Sequence, residues 1–245
     1  MLNEIIRIAE EAGKKILDFY NSAIATYYKE DGSPVTKVDW VISELIIDKI
    51  AKISNYPIVS EEIYDFNVPR KHYENFWLVD PLDGTKDFLA KNGQFTVNIA
   101  LIENGNPILG VVNVPVSGNI YYASKNRGAF KNGIGIYNYR NSAEIIGTDS
   151  CFHSTEKTQD FFRRHNITNI KKYGSAIKLC KIAEGEVDIY PRLNGTKEWD
   201  TAAGHIILNE AGGEIIDLVT NEEMIYDKES VKNNFFIAKR KGLIL

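Results

Sequence analysis

The segment Trp77-Leu78-Val79-Asp80-Pro81-Leu82-Asp83-Gly84-Thr85-Lys86-Asp87-Phe88 constrains this chain more than any other. The apolar run Phe76 to Val79 reads as a buried strand, broken off by Asp80, Pro81 and Asp83. Gly84-Thr85 then lead into a helix start. Two carboxylates at the end of a buried strand are costly unless something compensates their charge, and a divalent cation does so. The free amides and positive dipole end of a helix start suit a phosphate oxyanion. One segment therefore offers a hard-metal site beside an anion site, which points to metal-dependent phosphate chemistry.

The other acidic residues at strand or helix boundaries are Asp39, Glu61 with Glu62, and Asp200. Hard divalent ions take oxygen ligands, and two of them about 3.5–4 Å apart can hold both oxygens of an in-line phosphoryl transfer. No His or Cys cluster has zinc spacing. Each residue also has a plainer role. Thr36-Lys37-Val38-Asp39 reads as a capping box opening a helix. Glu61-Glu62 read as solvated charges after a strand, Asp200 as an N-cap, and Asp80 to Gly84 as an Asp/Pro/Gly turn. Capping and metal binding do not exclude one another.

The rest of the chain sets the frame. Leu2, Ile5, Ile6, Ala9, Ala12, Ile16, Leu17 and Tyr20 recur at helical spacing, and a second helix is predicted over Asp39 to Ile53. Strands follow at 57–60, 76–79, 95–103, 108–114, 119–124 and 129–131, with Asn104-Gly105 and Asn132-Gly133 as turns. After about residue 142 strands and helices alternate: strands at 145–147, 170–173, 187–190, 214–217 and 235–238, and helices over Thr155 to His165, Ser175 to Glu184 and Asp200 to Ala211. This predicts an α+β half over 1–142 and an α/β half over 143–245, in one compact unit with a cleft between them.

Composition narrows the function. The 245 residues carry a formal net charge of -4, which gives no general attraction to nucleic acid or membrane. An anionic substrate then needs metals or a local cationic cluster. The two cysteines, Cys151 and Cys180, make no disulfide framework. The N-terminus lacks the layout of a signal peptide, and no apolar run approaches the roughly 20 residues of a membrane span. A cytoplasmic protein is expected, as monomer or homodimer.

Ser60-Glu61-Glu62, Asp80-Pro81-Leu82-Asp83-Gly84-Thr85 and Trp199-Asp200-Thr201-Ala202-Ala203-Gly204, in this order, resemble the Mg²⁺-dependent, lithium-sensitive phosphatase superfamily of inositol monophosphatase. The resemblance covers essentially the whole chain and implies a layered αβαβα sandwich of the inositol monophosphatase and sugar phosphatase type. Asp83-Gly84-Thr85-Lys86-Asp87-Phe88 resembles its 3'(2'),5'-bisphosphate nucleotidase branch. So do Ser33-Pro34-Val35-Thr36 with Asp39, Phe95 to Ile102, Pro107 to Val112, Gly174 to Cys180, and Tyr190-Pro191-Arg192. The implied reaction cleaves adenosine 3',5'-bisphosphate to AMP and phosphate, with 3'-phosphoadenosine 5'-phosphosulfate as a second substrate.

By the same resemblance, Glu61, Asp80 and the Leu82 carbonyl hold one Mg²⁺. Asp80, Asp83 and Asp200 hold another, and a third, weaker ion sits near Glu61. A metal-activated water attacks in line, with Asp39 as base, Thr85 as relay and Glu61 in the catalytic set. The substrate meets Glu61, Leu82, Asp83, Asp200 and the Gly84 and Thr85 amides. In the second half His153, Ser175, Lys178 and Arg192 meet the nucleotide and its second phosphate, with Ser175 and Lys178 on one helical turn. The branch also implies peripheral association with the inner membrane, for which the sequence shows no anchor. The rivals are a phosphatase of the same fold acting on inositol monophosphate or fructose 1,6-bisphosphate, and a non-catalytic interaction protein.

Overall fold

The computed structural model describes residues 1–245 except 23–24, 30–31, 33, 68–71 and 141. Ser33 of the Ser-Pro-Val-Thr motif therefore lies outside the described residues. The chain runs α1 (Leu2–Tyr20), β1 (Thr26–Tyr28), β2 (Pro34–Thr36), α2 (Lys37–Ile50), β3 (Ile58–Ser60), a short 3-10 turn (Glu61–Ile63), β4 (Asn75–Asp83), α3 (Thr85–Leu89), β5 (Thr96–Glu103), β6 (Asn106–Val114), β7 (Asn119–Ser124), β8 (Ala129–Lys131) and β9 (Ile134–Ile136). It continues through β10 (Ile146–Ser150), α4 (Glu156–Arg164), β11 (Asn169–Tyr173), α5 (Ile177–Ala183), β12 (Ile189–Arg192), α6 (Glu198–Glu210), β13 (Gly213–Asp217) and β14 (Phe236–Arg240).

Helix α1 turns Ile5, Ile8, Ala9, Ala12 and Ile16 to one face, a spacing of three and four that stacks them along the axis. These residues share a core with Val38, Ile42, Ile46 and Ile50 of α2 and with Trp77, Val79, Val97, Ile99 and Val111 of the sheet beneath. That sheet has seven strands in the order β3-β4-β5-β6-β7-β8-β9. All its pairings are antiparallel except β3 with β4, which run parallel. Alternate residues of the same strands, Phe76, Leu78, Ala100, Ile102 and Val112, face a second core with α5 and α6. Helix α6 lies so close to β6 that a Cβ on Gly110 would sit 2.4 Å from Ile206 Cγ2 and 2.6 Å from the Ala203 carbonyl oxygen. Only glycine permits that approach.

Beyond α5 and α6 stands a five-stranded sheet in the order β11-β10-β12-β14-β13. Strand β10 pairs parallel with β11 and β12, whereas β14 is antiparallel to both β12 and β13. Phe162 of α4 packs on its outer face with Ile167 and Ile189. The layers are thus helix, sheet, helix, sheet, helix, which is the expected sandwich, with a mixed second sheet. Among the described residues, no helix is long and apolar enough to cross a membrane.

Several boundaries differ from the sequence reading. Strand β4 does not stop at Val79 but runs through Pro81 to Asp83. Helix α2 begins at Lys37 and ends at Ile50. Helix α6 begins at Glu198, two residues before Asp200. Helix α5 begins at Ile177, and Ser175 precedes it with φ 51°, so Ser175 and Lys178 do not share a helical turn. Three short strands, β1, β2 and β9, were not marked by the sequence pattern; β1 and β9 are largely exposed.

Candidate active site

The end of β4 explains how two aspartates three residues apart meet in one site. Side chains alternate along a strand, so an odd separation ordinarily sends them to opposite faces. Here Asp80 pairs with Asn98 and Asp83 with Thr96, and the register shifts between these pairs. Three steps on β4 match two on β5, which is a β-bulge, and both carboxylates come to the same side. Pro81 lacks a backbone donor and is tolerated at such an irregularity. The Leu82 N–H donates to Asp80 Oδ1 at 3.1 Å, while the buried Leu82 side chain packs into the core. Gly84 follows with φ 87°, a left-handed turn that suits glycine, and α3 begins at Thr85.

Strand β3 lies parallel to β4 with Ser60 opposite Val79, which brings Glu61 beside Asp80. Asp200 enters from the first turn of α6, where its Oδ2 accepts the Lys197 N–H at 2.8 Å. One carboxylate oxygen from each of Glu61, Asp80 and Asp200 lies within 4.8 Å of the others. Asp83 stands outside this trio. Its Oδ2 accepts the Ala176 N–H at 2.7 Å and Asn98 Nδ2 at 3.2 Å, with Thr96 Oγ1 at 3.4 Å.

Burial, then the negative charge of Glu61 and Asp83, raises the Asp80 pKa well above the usual carboxylate range. Burial and Asp83 push Asp200 up to about 8. Among the described residues, Lys29 is the cation in contact with the group: its Nζ lies 2.7 Å from Glu61 Oε1 and 2.7 Å from Glu62 Oε1. Burial works against the Lys29 charge, yet the two glutamates hold its pKa above the usual lysine value. Burial and the Glu61 charge push Glu62 up to about 7. A crowded, oxygen-only donor set short of positive charge fits a hard divalent cation.

Asp39 is 2% exposed and performs two tasks with two oxygens. Oδ2 accepts the Thr36 N–H at 2.8 Å and the Thr36 hydroxyl at 2.6 Å, closing the box at the start of α2. Oδ1 accepts the Thr85 hydroxyl at 3.2 Å. Burial is the main reason that its pKa is raised. The helix-capping role and the role toward Thr85 therefore coexist.

A cleft of about 490 Å³ opens over these groups, and all ten residues expected to meet substrate line it, from Glu61 to Asp200. Asp39 does not line it and reaches it through Thr85. The wall opposite the carboxylates is cationic. Lys178 Nζ donates to the carbonyls of Ser175 (2.7 Å) and Tyr173 (3.2 Å), and Arg192 donates to Tyr190 Oη (3.1 Å) and the Gly195 carbonyl (3.0 Å). Arg192 Nε is buried and has no hydrogen-bond partner among the described residues. Burial and the Arg192 charge push Lys178 down to about 8. Burial, with Arg192, Lys86 and Lys178 nearby, pushes His153 down to about 4, so it is neutral at pH 7. The Ser175 hydroxyl turns to Thr96 Oγ1 at 2.5 Å.

Comparison with known proteins places this arrangement. Residues 1–243 match the profile of the inositol monophosphatase family. The chain belongs to the inositol monophosphatase family. Within it, the chain is 42% identical over 222 residues to a protein of Buchnera aphidicola named 3'(2'),5'-bisphosphate nucleotidase CysQ, covering 88% of this chain and 83% of that one. It is 38% identical to the CysQ of Salmonella typhimurium, covering 89% and 90%. The crystal structure of CysQ from Bacteroides thetaiotaomicron superposes with a TM-score of 0.84 at 36% identity over 98% of each chain. The Thermotoga maritima IMPase gives 0.83 at 28% identity, over 97% and 91%.

Some residues at the site of this family member were not singled out from sequence. Lys29 was missed because its partners are distant in the chain. Lys86 and the buried Asp87 also line the cleft. Thr96 and Asn98 carry a readable signal: they are two polar residues, two apart, in strand β5, whose other residues before Glu103 are apolar.

Proposed function

We propose that this chain is a Mg²⁺-dependent 3'(2'),5'-bisphosphate nucleotidase that converts adenosine 3',5'-bisphosphate to AMP and phosphate. One observation carries the reading: a single cleft has crowded carboxylates on one wall and, on the other, Lys178 and Arg192, which among the described residues have no carboxylate in ion-pair contact. Such a cleft is complementary to a cation and a dianion at once. The names of the relatives support it. The two halves, 1–142 and 143–245, contribute one wall each apart from Asp200.

Glu61, Asp80, Asp83, Asp200 and the Leu82 carbonyl would hold two Mg²⁺ ions, and Glu61 would be the place for a third. Bound Mg²⁺ supplies positive charge against the phosphate oxygens and lowers the pKa of water. The Thr85 hydroxyl, anchored on Asp39 Oδ1, orients the attacking water, and its proton passes through Thr85 to Asp39. A raised Asp39 pKa favours that transfer. The water oxygen forms a bond to phosphorus, the bond to the 3'-oxygen breaks, and the 3'-oxygen takes a proton from solvent. The Gly84 and Thr85 amides face the phosphate. Lys178 and Arg192 grip the 5'-phosphate, Arg192 as a fork. His153, held neutral, hydrogen-bonds the sugar or base.

The test is phosphate release with Mg²⁺ from adenosine 3',5'-bisphosphate and from inositol 1-phosphate, with and without lithium. A large kcat/KM preference for the nucleotide, suppressed by lithium, is expected. A preference for inositol 1-phosphate would overturn the roles of Lys178 and Arg192, and turnover of neither would overturn the nucleotidase reading.

A further inference from the structure

We propose that Asn98 and Thr96 are positioning residues for Asp83, the polar end of a directional hydrogen-bond chain that runs from Ser175 into its carboxylate. Asn98 is 1% exposed and Thr96 fully buried. They stand on one face of β5, opposite the bulge that carries Asp80 and Asp83. Such polar groups inside an apolar strand persist only when paired.

The direction of the chain follows from the carboxylate. Carboxylate oxygens accept. The Asn98 amide therefore points Nδ2 at Asp83 Oδ2, 3.2 Å away. Its Oδ1 then faces Thr96 Oγ1 at 2.8 Å, nearer than Asp83 Oδ2 at 3.4 Å, and takes the single hydroxyl proton of Thr96; given to either oxygen, that proton is directed at the Asp83 side. Thr96 has none left for Ser175 Oγ at 2.5 Å, so Ser175 donates. The Ala176 N–H reaches Asp83 Oδ2 from the same loop at 2.7 Å. Among the described residues no donor reaches Asp83 Oδ1, and Asp83 lines the cleft. The chain occupies one oxygen and leaves the other for the cation. The Ser175 hydroxyl proton is committed inward, so Ser175 acts by holding Thr96 and not by donating to substrate. Outer partners of this kind typically change metal affinity about 10- to 100-fold.

The proposal rests on the metal reading of the site, not on the substrate. It is tested with metal alone: Mn²⁺ binding followed by the spectrum of the free ion, and Mg²⁺ by calorimetry, without nucleotide. Asn98→Leu and Thr96→Val keep size and remove the donors. Each is expected to weaken binding by about 10- to 100-fold, with Asp83→Asn as the yardstick and Thr96→Ser restoring wild-type affinity. Unchanged affinity in both isosteres overturns the proposal, and so does failure of Thr96→Ser to restore it. If Asn98→Leu does not fold, the Thr96 pair decides. A wild-type protein that binds neither ion ends the metal reading and this proposal together, whereas wrong substrate specificity touches neither.

Discussion

The two walls of the cleft are mirror images in their electrostatics. On one, burial and like charge raise the carboxylic acids Asp80 and Asp200. On the other, burial and like charge lower Lys178 and His153. Lys29 offsets part of the acidic wall at Glu61 and Glu62, and among the described residues no ion pair joins Asp80 or Asp200 to Lys178 or Arg192. Structural ion pairs elsewhere in the molecule do pair, as Lys181 does with Glu184 and Glu186. The contrast teaches that a buried group lacking its counter-ion marks where a ligand completes the protein.

The comparison breaks most severely at Asp80. Asp80→Asn should lower kcat/KM on the order of 10⁴-fold, yet raise the melting temperature of the metal-free protein by about 2–4 °C, because like-charge repulsion is relieved. A fall in that temperature in calorimetry would contradict the picture of a strained acidic wall. Next, Mg²⁺ at about a hundred times its Kd should stabilise the wild type by about 2.7 kcal/mol. Asp80→Asn should lose most of that gain while Arg192→Ala keeps it. On the basic wall, Arg192→Ala and Lys178→Ala should raise KM for the bisphosphate about 10- to 100-fold and leave half-saturation by Mg²⁺ unchanged. Equal effects on both quantities would mean that the walls are not separable.

The smallest effect is in pH. With Lys178 near 8, KM for the nucleotide should climb several-fold between pH 7 and 9, and the rise should vanish in Lys178→Met. The stability term has the opposite sense. The folded Lys178 binds fewer protons than the unfolded one between about pH 8 and its ordinary value of 10.5. Its contribution to stability therefore rises with pH across that window. A melting curve that shows no Lys178-dependent rise there would remove the strain from the basic wall.

Much of this molecule is legible from its residues, and the gaps have physical causes. Apolar periodicity marks α1 and α2, and apolar runs mark the core strands, because burial imposes the pattern. Asp80, Pro81 and Asp83 read as a stop signal; what lets β4 continue through them is the bulge, a property of the pairing with β5 and not of local propensity. Ser175 falls in an apparent helix because nothing local announces a positive φ; its contacts with Thr96 and Ala176 hold it there. Glu61, Asp80 and Asp200 stand out because carboxylates beside buried strands and helix starts demand an explanation, and the structure brings them together. The alternatives for Asp39 and Asp200 are compatible in the geometry, since Asp39 caps its helix with Oδ2 while Oδ1 meets Thr85, and Asp200 caps its helix while lying beside Glu61 and Asp80. Lys29 and Asn98 depend on tertiary contact and carry no such local demand.

Lys29 has a consequence for the protein when divalent ions are scarce. An ammonium fixed to the chain cannot be diluted or chelated away. Its effective concentration at Glu61 and Glu62 is set by the span of backbone from β1 to the 3-10 turn after β3, and tethered groups reach the millimolar range without any supply from solution. The folded chain carries that charge against both glutamates. On the proposed metal reading of the site, an ion at Glu61 would exchange with a tethered competitor, so its occupancy would follow the ratio of two affinities and not one alone.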